Sequence, residues 1–357
     1  MGMAIAGFAL TGLSYGAQPL LHAVTAEVLP RRWRSWGQAA DLVAGAMGGI
    51  TALLVGGALE RDGGGGKRAD GDVEGFRYFW YFTMVVFLLA TILTAFLYTP
   101  PPTKKQQTLS QVQRLQRLDW IGYALLIIGL ILLSIGLSWS ENPYPWTDAH
   151  TCATFTVGVV FLIALVVYEI YFKVDGMFHH GLFRHKNFAI VLVCIFCEGL
   201  AFFAANQYYS FQTSVFYETD SLLVGLRYSV SLFVSIPAAL LAGLYCSMMK
   251  RVRWITALAL LVFAIFFAAM ATSGKADSSK ALGLSVLLGV ALGTTLCALI
   301  TVAQLSTPKE LIAVATGLVI GMRSFGGAIG LAICKHRSNL YGLMELLIVD
   351  RQCTLRR

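Results

Sequence analysis

Ten stretches of this chain carry almost no charge and are each long enough to cross a bilayer: 3–26, 38–59, 77–98, 119–140, 152–172, 188–210, 224–247, 254–272, 281–303 and 311–333. A span takes about 20 apolar residues. Hydrocarbon offers the backbone no outside partner, so every run is expected to be a helix. With 57% hydrophobic and 13% charged residues, the chain falls well below the roughly 25% charge of soluble domains. Its mean hydropathy of +0.69 points the same way. The expected fold is all-α, a polytopic transmembrane helical bundle of about ten helices surrounded by a lipid bilayer.

The turns between the runs set the orientation. Odd-numbered turns hold fourteen basic residues: Arg31, Arg32, Arg34, Lys104, Lys105, Arg114, Arg117, Lys173, Arg184, Lys186, Lys250, Arg251, Arg253 and Lys309. Even-numbered turns hold six: Arg61, Lys67, Arg68, Arg77, Lys275 and Lys280. Arginine and lysine are retained on the cytoplasmic side, so the odd turns are expected inside. Met1 and the tail after Ile333, which carries Lys335, Arg337, Arg351, Arg356 and Arg357, then both fall outside. Missing helices are expected to explain this, an odd number before Met1 and one after Ile333. The tail from Lys335 onward is expected to be non-native sequence. The apolar start, without a basic n-region, is not read as a cleavable leader.

The second feature is a repeat. GLSYGAQPLLHAVTAEVLPRRWRSWGQAADLVAGAMGGITALLVGG (12–57) has a counterpart from Gly289 onward. Gly12 and Gly16 map onto Gly289 and Gly293, Glu27 onto Gln304, Pro30 onto Pro308, and Gly48 and Gly49 onto Gly326 and Gly327. A membrane hairpin recurring in the same sense marks two parallel halves with a shared site between them.

Other chemistries find little footing. The net charge of +8 is spread over short turns rather than one soluble patch, so no nucleic-acid partner is expected. Seven scattered cysteines imply no disulfide framework, and Cys194-x-x-Cys197 reads as packing. Glu60–Gly75 is a glycine-rich loop whose Gly-Gly-Gly-Gly-Lys67 lacks the Ser or Thr of a phosphate loop. His179, His180 and His185 have no companion Cys, Asp or Glu at ligand spacing, so no metal site is expected. No cofactor is implied, and no nucleophile–base set marks an enzyme.

LDWIGYALLIIGLILLSIGLSWSENPYPWTDAH (Leu118–His150), with its Asp119-Trp120-Ile121-Gly122 opening and Tyr144-Pro145-Trp146, strongly resembles the seventh helix and following loop of the fungal trichothecene efflux pumps. Those pumps are a branch of the fourteen-helix drug:proton antiporters of the major facilitator superfamily. GLFRHKNF (Gly181–Phe188) resembles that family's entry into helix nine, and RSFGGAIGLAI (Arg323–Ile333) its helix thirteen. On this resemblance the ten runs are helices four to thirteen. It implies a remnant N-terminal bundle of three helices at 1–99, a cytoplasmic linker at 100–118 and an inserted helix pair at 119–172. A C-terminal bundle of five helices follows at 173–333, then the tail at 334–357. The proline usual in the fifth helix of antiporters is missing from Gly45-Ala46-Met47-Gly48-Gly49, so export is not read from that motif.

Ionisable groups inside hydrocarbon are costly and mark cavities or partners. Two lie in mid-run. Glu198, with no base on its own helix, is the candidate proton-coupling carboxylate, and Arg323 is a candidate for the contact between bundles. Gly45, Gly48, Gly49, Gly326 and Gly327 are further bundle-interface candidates, because small residues let helices approach closely. Gln18 and His22, four apart on one face, and Asn206, Gln207 and Tyr208 are the substrate-path candidates. Asp41, Glu169 and Arg227 lie near run ends, within reach of the interface. Trp120, Trp139 and Trp146 are expected in the aromatic belt.

The resemblance implies a multi-pass transporter in the plasma membrane, or alternatively the vacuolar membrane. It would export small apolar toxins or drugs in exchange for protons, by rocking of two bundles about a midplane site. Uptake of iron–siderophore complexes and a non-transporting truncated fragment are the alternatives.

Overall fold

The computed structural model describes residues 2–30, 32–64, 75–97, 112–113, 118–140, 144–173, 180–183, 186–218, 220–249, 252–274, 277–308 and 311–332. Nearly all of these are helical. The main elements are α1 (Gly2–Tyr15), α2 (Gln18–Val28), α3 (Arg34–Gly64), α4 (Gly75–Leu97), α5 (Trp120–Trp139), α6 (Ala149–Tyr171), α7 (Lys186–Phe216), α8 (Ser221–Met249), α9 (Arg253–Ala271) and α10 (Ser278–Ser306). α11 (Ile312–Ala332) completes the set, and a single helical turn, His180–Phe183, precedes α7. Most of the linker at 100–118 and the whole tail at 334–357 lie outside the described residues, as do Lys67, His179 and His185.

Among the described residues, nine helices are long and apolar enough to cross a membrane. The difference from ten runs arises in the first, which is two helices rather than one. Pro19 stands in the first turn of α2, where its ring and missing N–H prevent continuation from α1. The chain tightens there, with Gly16 N donating to Leu13 O and Ala17 N to Ser14 O. Other helices outrun their apolar stretches. α7 has 31 residues, about 46 Å at 1.5 Å per residue, and so projects beyond the roughly 30 Å hydrocarbon layer.

α10 is the most enclosed helix, whereas α4 buries none of its most apolar stretch. α8 is flanked by α3 on one side and α10 on the other; α9 and α7 also pack on α10, and α2 lies on α3. The α8–α10 seam is built from small residues: Gly289 meets the Ser231 carbonyl and Gly293 the Ser235 carbonyl, leaving no room for a Cβ. Ser231 and Ser235 turn their hydroxyls back onto Tyr228 O and Leu232 O, each at 2.7 Å, so neither hydroxyl is stranded in the seam. α5 and α6 pack mainly on each other, with Gly129, Gly136 and Gly158 at the crossing.

The apolar surface faces outward. Phe87, Phe96, Ile190, Leu241 and Leu258 are all exposed, a distribution that suits lipid and would aggregate in water. Among the described residues, the two largest of three buried clusters lie toward opposite ends, with a small one of Ala39, Ala242 and Cys297 besides. One, around Phe188, Ile195, Leu299, Ile300 and Ile320, lies toward the end where α10 finishes and α11 begins, here termed the basic end. The other, around Tyr209, Tyr228, Phe263, Phe266 and Leu288, fills the opposite end.

Candidate functional site

Midway along α7 and α11, Glu198 and Arg323 face each other. Glu198 has no exposed surface and Arg323 is 6% exposed. Arg323 Nε donates to Glu198 Oε2 at 2.8 Å and Nη2 to Oε1 at 3.3 Å, a two-pronged pair. The guanidinium also lies over the Phe202 ring at 4.2 Å and near Phe203 at 5.6 Å. Glycine allows this geometry. A Cβ on Gly199 would strike the Arg323 carbonyl, one on Gly326 the Phe196 carbonyl, and one on Gly330 the Leu200 carbonyl. Glu198 therefore has its base on another helix, and the cost of burying either charge is met by the other.

At the basic end a second buried polar group joins α2 and α3 to α10 and α11. His22 Nδ1 lies 2.9 Å from Gln38 Oε1, and Gln38 Nε2 donates to His22 O at 3.1 Å. Gln304 Nε2 donates to the same carbonyl at 3.2 Å and approaches Thr316 Oγ1 at 3.5 Å. Arg34 Nη1 reaches Gln304 O at 3.5 Å. Asp41 Oδ2 accepts from Thr25 Oγ1 at 2.9 Å and lies 3.5 Å from His22 Nδ1. The structure thus puts His22 inside a closed clasp rather than along an open path, and leaves Gln18, one turn earlier, half-buried. Gln38 and Gln304 were not singled out from sequence. The available signal was an amide within or at the edge of an apolar run, and Gln304 also stood opposite Glu27 in the repeat.

Toward the other end, a cleft of about 330 Å³ opens between α3, α7 and α8. Ala52, Leu53, Gly56 and Gly57 of α3 form one wall; Ser210 and Ser214 of α7 and Ser221, Val224, Gly225 and Tyr228 of α8 form the others. Its polar side-chain groups are hydroxyls, and among the described residues no charged side chain lines it. Asn206, Gln207 and Tyr208 do not form one lining, because consecutive helical residues point about 100° apart. Gln207 is exposed and Tyr208 half-buried. Asn206 shares the face of Ser210 and Ser214, four and eight residues on, and its buried Oδ1 has no partner among the described residues.

The glycine candidates divide. Gly49 meets Leu232 Cδ1 of α8, as does Gly57 the Leu222 backbone, but a Cβ at Gly45 or Gly48 would meet nothing within 4 Å. Gly326 and Gly327 do sit in a tight crossing, against Phe196 and Phe203 of α7 rather than against α3. Glu169, near the end of α6, does not extend from the helix surface. It is buried at 2% exposure, with its carboxylate beside Gly122 at the start of α5. Arg227 pairs with Glu218 at 2.5 Å.

The family model for the Major Facilitator Superfamily matches residues 1–331. The chain is 29% identical over 234 residues to the MFS-type transporter sphD of Aspergillus fumigatus, covering 63% of this chain and 39% of that protein. It is 23% identical over 263 residues to the trichothecene efflux pump TRI12 of Fusarium sporotrichioides (71% and 44%). Against the efflux pump patC of Aspergillus clavatus it is 26% identical over 300 residues (79% and 53%). The chain thus spans roughly two fifths to one half of these relatives' lengths. With a family model matching most of its length and nine membrane-length helices among the described residues, the chain belongs to the Major Facilitator Superfamily.

Proposed function

We propose that this chain serves a proton-coupled transporter that exports small, largely apolar toxins or drugs across the plasma membrane. The observation that carries the reading is the fully buried Glu198–Arg323 pair. A proton arriving on Glu198 removes the carboxylate's charge and leaves the guanidinium to the Phe202 and Phe203 rings. The α7–α11 contact then has two electrostatic states, which a coupled carrier requires. The cleft of α3, α7 and α8 supports an apolar cargo, since it offers hydroxyls and small apolar walls. Relatives named as efflux pumps weigh for export over siderophore uptake.

The test is transport in proteoliposomes under an imposed pH gradient, with a trichothecene as cargo and a labelled ferric siderophore in parallel. Glu198→Gln is expected to abolish gradient-driven export while leaving cargo binding in place, and Glu198→Asp to restore part of it. Undiminished driven export by Glu198→Gln overturns the assignment. Driven movement of the siderophore alone overturns the cargo.

A further inference from the structure

We propose that Ser214 and Ala52 set the selectivity of the cleft between α3, α7 and α8: Ser214 accepts a hydrogen bond from a hydroxyl group on a neutral cargo, and Ala52 limits that cargo's bulk. The inference rests on the cleft being where cargo is held, and not on the role of Glu198.

The lining divides into residues committed to packing and residues that face the opening. A Cβ at Gly57 would meet the Leu222 backbone at 2.8 Å, one at Gly225 the Leu53 carbonyl at 3.0 Å, and one at Gly56 the Phe79 ring at 3.3 Å. Leu53 and Tyr228 belong to the buried cluster at that end. Enlarging any of these would overpack the helix contacts before it reshaped the cleft. Ala52 is the exposed residue of the α3 wall, so the width on that side turns on a single methyl group. At about 330 Å³ the cleft lies near the lower end of the roughly 300–1,000 Å³ of ligand pockets, where one added ring decides whether a cargo fits.

The polar side of the cleft accepts more readily than it donates. Ser214 Oγ already donates to Phe211 O at 2.8 Å. Its proton is engaged with its own helix, and its lone pairs remain. A cargo hydroxyl can donate to those lone pairs without disturbing the helix, whereas a cargo carbonyl must first draw the proton from Phe211 O. Asn206, two turns earlier on the same face of α7, adds acceptor character, a buried Oδ1 without a partner among the described residues. With no charged side chain in the lining, a cationic or anionic cargo would lose hydration without a compensating partner. The chemistry that fits is a neutral, apolar body bearing a hydroxyl group.

The test measures binding of tritiated cedrol, a tricyclic alcohol, to the detergent-solubilised chain by scintillation proximity. Cedryl methyl ether and the single-ring alcohol menthol serve as competitors. The unmodified chain should bind cedrol about fivefold more tightly than its ether, the worth of one net hydrogen bond. Ser214→Ala should bring cedrol down to the affinity of the ether and leave the ether unchanged. Ser214→Thr, which keeps the hydroxyl, should retain the preference. Ala52→Phe should weaken cedrol about tenfold through overpacking with menthol unchanged, and Ala52→Val should do so to a smaller degree. Unchanged menthol binding shows that a variant is folded. Absence of cedrol binding, equal affinity for cedrol and its ether in the unmodified chain, or a preference that survives Ser214→Ala overturns the proposal. So do Ala52 variants that lose both alcohols alike, or neither. With Glu198 intact and no gradient applied, the result is read separately from the transport test.

Discussion

Two opposite charges held 2.8 Å apart with almost no exposed surface are stable only together. Removing one partner of a buried pair costs about 3–5 kcal/mol, whereas replacing both with apolar groups of similar volume is often neutral or favourable. Glu198→Leu is therefore expected to lower the melting temperature in detergent sharply, and Glu198→Leu with Arg323→Met to recover most of the loss while remaining inactive in transport. A double variant as unstable as the single would show that the pair is not the source of the effect. Each residue is legible in the sequence as a lone charge in an apolar run. Their pairing is not, since 125 positions separate them. The Asp119-Trp120-Ile121-Gly122 block also acquires a physical reason at this scale. Asp119 caps α5 by accepting from Gly122 N at 3.2 Å, and its carboxylate lies where a Cβ on residue 122 would be.

Helices in lipid approach through small residues, because apolar side chains gain nothing by leaving the lipid for each other. Glycines on opposite faces of one helix should then respond differently to the same change. Gly45→Ala and Gly48→Ala, with open space around them, are expected to be neutral or stabilising by up to about 1 kcal/mol, since glycine costs a helix interior about that much. Gly57→Val, against the Leu222 backbone, and Gly293→Val, against Ser235, are expected to cost about 1–3 kcal/mol through overpacking. Thermal unfolding of the detergent-solubilised variants orders the four, and equal effects at Gly45 and Gly57 would contradict the packing described. Sequence shows that α3 is rich in glycine. Which glycine meets α8 depends on helix rotation, which composition does not specify.

For the whole molecule, the distribution of arginine and lysine makes a sided prediction. Single cysteines at Trp33 or Leu305, at the basic end, should react with an impermeant maleimide only after the cell is opened. One at Ser214, near the opposite cleft, should react in intact cells. Reversed labelling would invert the orientation. The sequence by itself determined that this chain is a set of membrane-length helices, and it placed their turns. Apolar length and the lack of backbone partners in lipid leave no other solution. It also showed Glu198, Arg323 and His22, which the structure buries, as exceptions to apolar runs. Only the tertiary structure decided which of them meet. Contacts between helices far apart in the chain, such as His22 with Gln304 or Glu198 with Arg323, depend on rotation and crossing, and lipid-facing and protein-facing apolar residues look alike in sequence.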